Sequence, residues 1–398
     1  MYDAIVVGAR CAGAATAFLL ARGGARVLLL ERETFPRDTL NGHCLMAAGA
    51  RRLDEWGLLD SILATGCQPF DTHEYTFGPL HFSGRVRWSD GARAVEVAPR
   101  RYLLDPIMAE AAVAAGAELR MPFLVQSLIW DGEQVVGVRG RIAAGEIVEE
   151  RAHIVIGADG FRSMVAAEVN ADIYAEISSG TCLYYSHWSG LPCMALEVYA
   201  GAGRYAILFP SNDGLTFVGV GWQHAEFPRI RTDIEGNFLA AIDAIPCLAE
   251  RVRGGRREER FRGTADLPMY LRTPHGAGWA LVGDAGCRVD PITGQGLTDA
   301  VRDAEFLADA VLTGLSGDAC ISQTLAEYQR RRDGAVLPIY RFTAERARLQ
   351  PPPPETQRLL AALQHKQQDA DRFAGLTAGT TSFAEFFAPD NLDRILCA

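Results

Sequence analysis

The sequence predicts an α/β protein: a buried parallel sheet assembled from distant segments, a second and mostly antiparallel sheet, and a helical C-terminal segment. Three observations carry this. Continuous apolar runs at 4–7, 27–30, 154–156 and 279–282 read as strands covered on both faces, the first strand beginning at Tyr2. Aromatic-rich alternation fills 175–270. Helical pattern then dominates to the C-terminus.

The first run ends in Val6-Val7-Gly8-Ala9-Arg10-Cys11-Ala12-Gly13, and after a helical stretch the chain returns as Val27-Leu28-Leu29-Leu30-Glu31. Strand, glycine-bounded turn, helix and a second strand closing on an acid are the outline of a Rossmann-like dinucleotide-binding βαβ unit. Gly8 makes the tight turn, Gly13 lets helix and strand pack closely, and the helix N-terminus offers N–H groups to a pyrophosphate. Glu31, 23 positions beyond Gly8, is placed for a ribose hydroxyl pair. Arg10 stands where G-x-G-x-x-G has its middle glycine.

After Glu31 comes a loop through Asn41-Gly42-His43, then helical pattern from Met46 to Leu59 with Leu53, Trp56 and Leu59 on one face. Residues 70–98 read as short antiparallel strands, including Tyr75-Thr76-Phe77 and His81-Phe82. Leu103 to Ala115 reads as a helix and Glu118 to Arg120 as a short strand. Residues 123–150 form a meander turning at Asp131-Gly132 and near Ala144-Gly145. Pro351 to Pro354 breaks the helical tail. The boundaries expected from this pattern are 1–70, 99–172 and 271–317 for a discontinuous nucleotide domain, 71–98 and 173–270 for a substrate domain, and 318–398 for the helical segment.

With 398 residues, 48% of them hydrophobic and 22% charged, the chain has ordinary globular composition and room for several packed layers. A net charge of -10 argues against a nucleic-acid surface. No apolar run reaches the roughly 18–20 residues of a membrane span. A first strand starting at Tyr2 leaves no room for a secretory leader, so a cytoplasmic location is expected. The nine cysteines show no C-x-x-C pair and read as small buried hydrophobes, with neither a disulfide framework nor a metal site expected. Lys366 is the single lysine.

Two further glycine–aspartate strings follow apolar strands. Gly157-Ala158-Asp159-Gly160 follows 154–156; Gly283-Asp284-Ala285-Gly286 follows 279–282 and runs into Asp290-Pro291-Ile292-Thr293-Gly294-Gln295-Gly296-Leu297. A helix then carries Ala300, Ala304, Leu307 and Val311 on one stripe. An aspartate at the C-terminal edge of a parallel strand accepts hydrogen bonds from ligand hydroxyls, and glycines before a helix let N–H groups approach a ligand. Either string alone also reads as an ordinary turn or helix cap.

In this order and spacing, the three strings resemble the FAD-binding fold of class A flavoprotein monooxygenases, the p-hydroxybenzoate hydroxylase-like group, and equally the geranylgeranyl reductase group on the same fold. The resemblance covers residues 2 to 315. It implies that Gly8, Cys11, Ala12 and Gly13 cradle the FAD pyrophosphate; it gives Arg10 no role, and that guanidinium reads either as lying over the flavin or a phosphate or equally as a surface arginine. It implies that Glu31, followed by Arg32, holds the adenosine ribose, and that Val125 meets adenine. Arg101 falls on the ribityl or phosphate portion, Asp159 and Gly160 lie near the cofactor, and Gly283 and Asp284 bind the ribityl chain. Pro291, Gly294, Gln295, Gly296 and Leu297 border the isoalloxazine.

No second nucleotide fingerprint occurs, so the resemblance implies that NAD(P)H binds transiently as reductant. The activity it implies is NAD(P)H-dependent hydroxylation of a small aromatic or polycyclic substrate by O2 through a flavin C4a-hydroperoxide; the alternative is reduction or dehydrogenation of a carbon–carbon bond. Flavin-dependent halogenases share the fold, but their lysine and W-x-W-x-I-P string are absent here. On the substrate side His43 is the catalytic candidate, and Tyr184, His187 and Trp222, with Tyr185 and Trp188 beside them, are candidates for an aromatic pocket. An aromatic-filled sheet face also reads as core, and His43 also reads as a loop histidine satisfied by its surroundings. Asp290 reads as a helix-start acid or a substrate-orienting group.

Overall fold

A computed structural model of the chain describes every residue except Asn41, Ala144 and Ala398. The strand Tyr2–Val7, the helix Cys11–Arg22 and the strand Val27–Leu30 form the leading βαβ unit. Tyr2–Val7 is flanked in parallel by Val27–Leu30 on one side and Ile147–Gly157 on the other. Glu118–Arg120 and Trp279–Leu281 extend the parallel sheet at its two ends. The segments 4–7, 27–30 and 154–156 of its central strands are apolar and buried because the helices Cys11–Arg22 and Gly296–Ser316 cover one face and the meander formed with Phe123–Asp131 and Gln134–Ile142 covers the other.

The second sheet joins Thr181–Ser189, Thr216–Gln223, Arg204–Pro210, Leu196–Gly201, Thr72–Phe77 and Leu80–Arg85 in that spatial order. All these neighbours are antiparallel except Leu196–Gly201 against Thr72–Phe77, which run parallel. Strands from either side of residues 99–172 thus share one sheet. A third, small sheet pairs Ile173–Ile177 with Met269–Arg272, and Met269–Arg272 with Cys287–Arg288.

Two local differences from expectation have plain causes. The helical pattern 46–59 is two helices, Ala47–Glu55 and Leu59–Leu63, because Gly57 turns at φ +76° between them. The helix expected at Leu103–Ala115 starts earlier, at Arg101. Part of the turn placed near Ala144 lies outside the described residues. The tail forms Ile321–Ala347, then, after the proline run, Pro354–Leu363 and Gln367–Ala378, which pack on Thr72–Phe77 and Leu80–Arg85. Lys366 donates to the last carbonyls of Pro389–Leu396, Arg394 and Ile395, as a helix C-cap. Among the described residues, no helix is long and apolar enough to cross a membrane.

Candidate active site

The pyrophosphate end is built by main chain. A Cβ on Gly13 would lie 1.8 Å from the Gly8 carbonyl oxygen, so the helix meets the preceding turn at a distance only glycine permits. Gly8 turns at φ +102° and lies against Ala158. The helix beginning at Cys11 has neither a side-chain cap nor an acid in its first turn, leaving N–H groups for an anion. Arg10 does not point freely outward: it meets Asp105 at 2.7 Å, and Arg101 meets the same carboxylate at 2.7 Å from the other side. Cys11 donates to Asp105 at 3.4 Å, and burial pushes its thiol pKa to about 12, so it sits there as a neutral packing group.

Glu31 is buried and accepts N–H groups from Ala9 at 2.8 Å and Glu33 at 3.0 Å, which fix its carboxylate at the strand end. Arg32 beside it is exposed. Val125 lies on the strand whose Phe123 N–H donates to the Glu31 carbonyl at 2.7 Å, so it is held next to that end.

The two aspartate strings differ. Asp159 is taken up by its own turn, accepting Ser163 Oγ at 2.5 Å and the N–H groups of Met164 and Val165. This is helix-start capping, with Gly160 at φ +82° completing the turn. Asp284 accepts no hydrogen bond from the described residues, its nearest cation is Arg288 at 3.9 Å, and burial raises its pKa. A carboxylate held without donors inside a cleft suits ligand hydroxyls. Gly283, at φ +62°, packs on Ala12, which brings this turn against the first helix. Pro291 opens a short helical turn capped by Asp290, which also accepts Thr181 Oγ1 at 2.7 Å; Asp290 is thereby a structural acid. Gly294 follows at φ +67°, and Gln295 donates to Thr293 and Thr377 carbonyls. The helix Gly296–Ser316 again starts without a side-chain cap, with Leu297 buried behind it and no atom within 4 Å of a Cβ on Gly296. Two uncapped helix starts, the donor-free Asp284 and the space before Gly296 fit an FAD whose pyrophosphate meets the first helix and whose ring meets the second.

The substrate-side candidates separate onto opposite faces. Tyr185 and His187 alternate with Tyr184 and Trp188 along Thr181–Ser189, as the period of two requires. Tyr184, Trp188 and Trp222 pack into the core under Ile234–Asp243 and Pro246–Gly254. The correction is therefore that Tyr184 and Trp222 do not share a wall with His187. His187 instead meets His43, with ring centroids 5.8 Å apart, and His43 Nε2 lies 3.1 Å from the Tyr185 hydroxyl. Burial depresses the pKa of both histidines, with neighbouring arginines adding to it. Among the described residues, His43 Nδ1 and both His187 ring nitrogens lack a well-aligned partner, the 3.4 Å approach of Glu259 to His187 notwithstanding.

A large apolar cavity of about 990 Å³ lies between the second sheet and the C-terminal helices, and Met46, Ile292 and Thr293 form part of its wall. Its wall also includes Tyr75, whose hydroxyl lies 3.1 Å from His73 Nδ1; His73 Nε2 lies 2.6 Å from Glu96, and both are fully buried. Glu96 also accepts the Ala47 N–H at 3.2 Å. Thr377 lines the cavity too and, through its carbonyl, accepts from Gln295 at 3.0 Å. A buried acid–imidazole–phenol chain thus ends on the cavity wall that Ile292 and Thr293 share. Sequence reading missed these residues: His73 and Tyr75 show only as strand alternation, and Glu96 comes from a separate segment. Among the described residues, no group of three or more His, Cys, Asp or Glu side chains is arranged to hold a metal ion.

Comparisons with known proteins agree with this architecture. Digeranylgeranylglycerophospholipid reductase of Methanosarcina acetivorans is 27% identical over 342 residues, covering 83% of this chain and 80% of the reductase. The structure of flavin-dependent brominase Bmp2 superposes with a TM-score of 0.82 at 19% identity, over 99% of this chain and 97% of that one. Pseudomonas aeruginosa PqsL, solved with 2-aminobenzoylacetate, gives a TM-score of 0.72 at 23% identity, over 94% and 99%. The FAD binding domain family matches residues 1–222. More than half of the chain lies within that match, and the protein belongs to the FAD binding domain family, as an FAD-dependent oxidoreductase.

Proposed function

We propose that this flavoenzyme transfers electrons from NAD(P)H to a bulky, largely apolar substrate held in the cavity beside Ile292 and Thr293, and that the reaction is reduction of a carbon–carbon double bond. FAD, when bound, supplies a two-electron centre able to take and return hydride. The chain's own contribution to such a reduction is a proton, and the Glu96–His73–Tyr75 chain is the observation that carries the reading. Burial keeps the Tyr75 hydroxyl protonated. Glu96 lies within reach of a proton on His73 Nε2; when Nδ1 also carries a proton, the ring donates to Tyr75 Oη and leaves the hydroxyl free to donate into the cavity. When that proton leaves, the Nδ1 proton replaces it on the phenol oxygen. The reductase relatives, aligned over most of both chains, support the same reading.

Hydroxylation of an aromatic or polycyclic substrate is the second reading, favoured by the aromatic wall of Tyr75, Phe77, Phe342 and Phe373 and by the exclusion of water that oxygen chemistry needs. Incubating the FAD-loaded protein with NADPH, oxygen and either geranylgeraniol or a hydroxylated anthracene separates the two. A product with two added hydrogens, formed without stoichiometric oxygen loss, is expected; a product with one added oxygen atom, matched by oxygen uptake, overturns the reductive reading.

A further inference from the structure

We infer that Arg346 is the anchor for an acidic head group, so that the cavity takes amphiphiles bearing a carboxylate or phosphate on an apolar body; this rests on the cavity being the substrate site. Arg346 is in the last turn of Ile321–Ala347 and lines the cavity. Its guanidinium lies over the Phe77 ring at 4.8 Å and near the Phe342 ring at 5.6 Å, so its plane is braced from two elements. It forms no salt bridge with any carboxylate of the described residues, whereas the buried arginines Arg100, Arg101, Arg288 and Arg332 each do. Glu345, its neighbour on the cavity wall, is paired instead to Arg348 at 3.0 Å.

A desolvated guanidinium without a counter-charge is costly, and the surrounding apolar wall does lower its proton affinity. Such a group is retained where a ligand supplies the anion, and five N–H donors in a planar fork match carboxylate or phosphate oxygens. Position agrees with this. One helical turn before Arg346, Thr343 Oγ1 lies 2.6 Å from Thr293 Oγ1, at the border of the ring site. Arg358, exposed on the rim, adds positive charge at the approach.

The test is calorimetric titration of the FAD-loaded full chain with dodecanoate, dodecyl phosphate and 1-dodecanol, each below its micelle-forming concentration. At least one acid should bind roughly tenfold or more tightly than the alcohol, the worth of a charge-assisted hydrogen bond. The tighter acid identifies the head group. Arg346→Met should abolish the difference while leaving the affinity for dodecanol unchanged, and Arg346→Gln serves the same purpose should the methionine variant not fold. Equal binding of acids and alcohol by the wild type, or an acid preference that survives both variants, overturns the inference. Binding is read without turnover, so the two proposals fail separately. Acid selectivity without NADPH-driven turnover sinks the redox reading alone, and turnover of neutral apolar compounds without acid preference sinks this one alone.

Discussion

Gly13→Ala tests the cofactor cradle most sharply, because the expected damage can be worked from the main chain. The new Cβ would sit 1.8 Å from the Gly8 carbonyl oxygen and 3.0 Å from Ala158 Cβ. Non-bonded heavy atoms prefer about 3.5–4.0 Å, so helix and turn must part by roughly 1.5 Å. Neither clashing partner is the end of a flexible side chain, so no rotamer change relieves it. Overpacking of this kind costs about 1–3 kcal/mol, and a main-chain clash belongs at the upper end, equivalent to a Tm loss of roughly 3–4 °C in a chain of this size. The same displacement draws the helix N–H groups away from the pyrophosphate; losing one or two charge-assisted bonds weakens FAD binding roughly a hundredfold.

Gly296→Ala supplies the contrast. Nothing lies within 4 Å of its Cβ, and alanine is the better helix former by about 1 kcal/mol, so the FAD-free protein should melt no lower than wild type. If that open space belongs to the flavin, FAD retention should nevertheless fall. Flavin-to-protein absorbance ratios after gel filtration, with melting curves of flavin-free samples, read both effects. A Gly13→Ala protein that keeps its flavin and its Tm would refute the reasoning about the cradle. A Gly296→Ala protein with unimpaired flavin retention would refute the placement of the ring.

Further outcomes are expected elsewhere. Asp284→Ala should greatly weaken FAD retention with little change in the flavin-free Tm, since that carboxylate bonds no described residue; undiminished flavin content would contradict its role. Burial raises the Asp290 pKa to about 6 from 3.8, so the folded state holds a proton the unfolded state has lost. The stability this group contributes is present below about pH 4 and is lost as pH rises to about 6, an effect of about 3 kcal/mol. Asp290→Asn should therefore raise Tm at neutral pH and leave it unchanged near pH 4; a uniform loss across that range would show that the charge is needed. Glu96→Gln, which removes the anionic acceptor of buried His73, should cost about 1–3 kcal/mol in urea unfolding, and a change below about half a kcal/mol would argue against the pair.

The cofactor half was legible in sequence because it is made of main-chain geometry. A helix start that must approach a turn at Gly13 excludes every other residue, and that exclusion leaves a readable string. The same holds for the positive φ of Gly8 and Gly283. Asp159 and Asp284 looked alike as strings, yet one caps its own helix and the other faces open space, a difference set by the next few φ and ψ angles. The aromatic strands were also legible, but which face each ring takes depends on register, so Tyr184 and Trp222 could not be told from Tyr185 and His187 by type. The cavity was not legible. Its wall draws on Met46, Tyr75, Ile292 and Arg346, from four separate segments, and apolar side chains there carry no local signature.

This division follows from what each half must recognise. A pyrophosphate is the same in every flavoprotein, and backbone N–H groups at fixed spacing suffice for it, so the cradle tolerates little change. An apolar body is held by any apolar surface of adequate shape, which leaves many sequences acceptable and concentrates selectivity in the few polar groups of the wall. Here those groups are few and unlike: the Tyr75 hydroxyl backed by His73 and Glu96, and the Arg346 guanidinium without a carboxylate. In an apolar enclosure an unpaired polar group is destabilising until a ligand meets it, so each must be compensated by what binds. The tyrosine is already satisfied by its histidine and can exchange a proton without losing its place, whereas the arginine gains its counter-charge only from the ligand. If the cavity is the substrate site, chemistry and selection rest on different side chains of its wall, and each can be altered without removing the other.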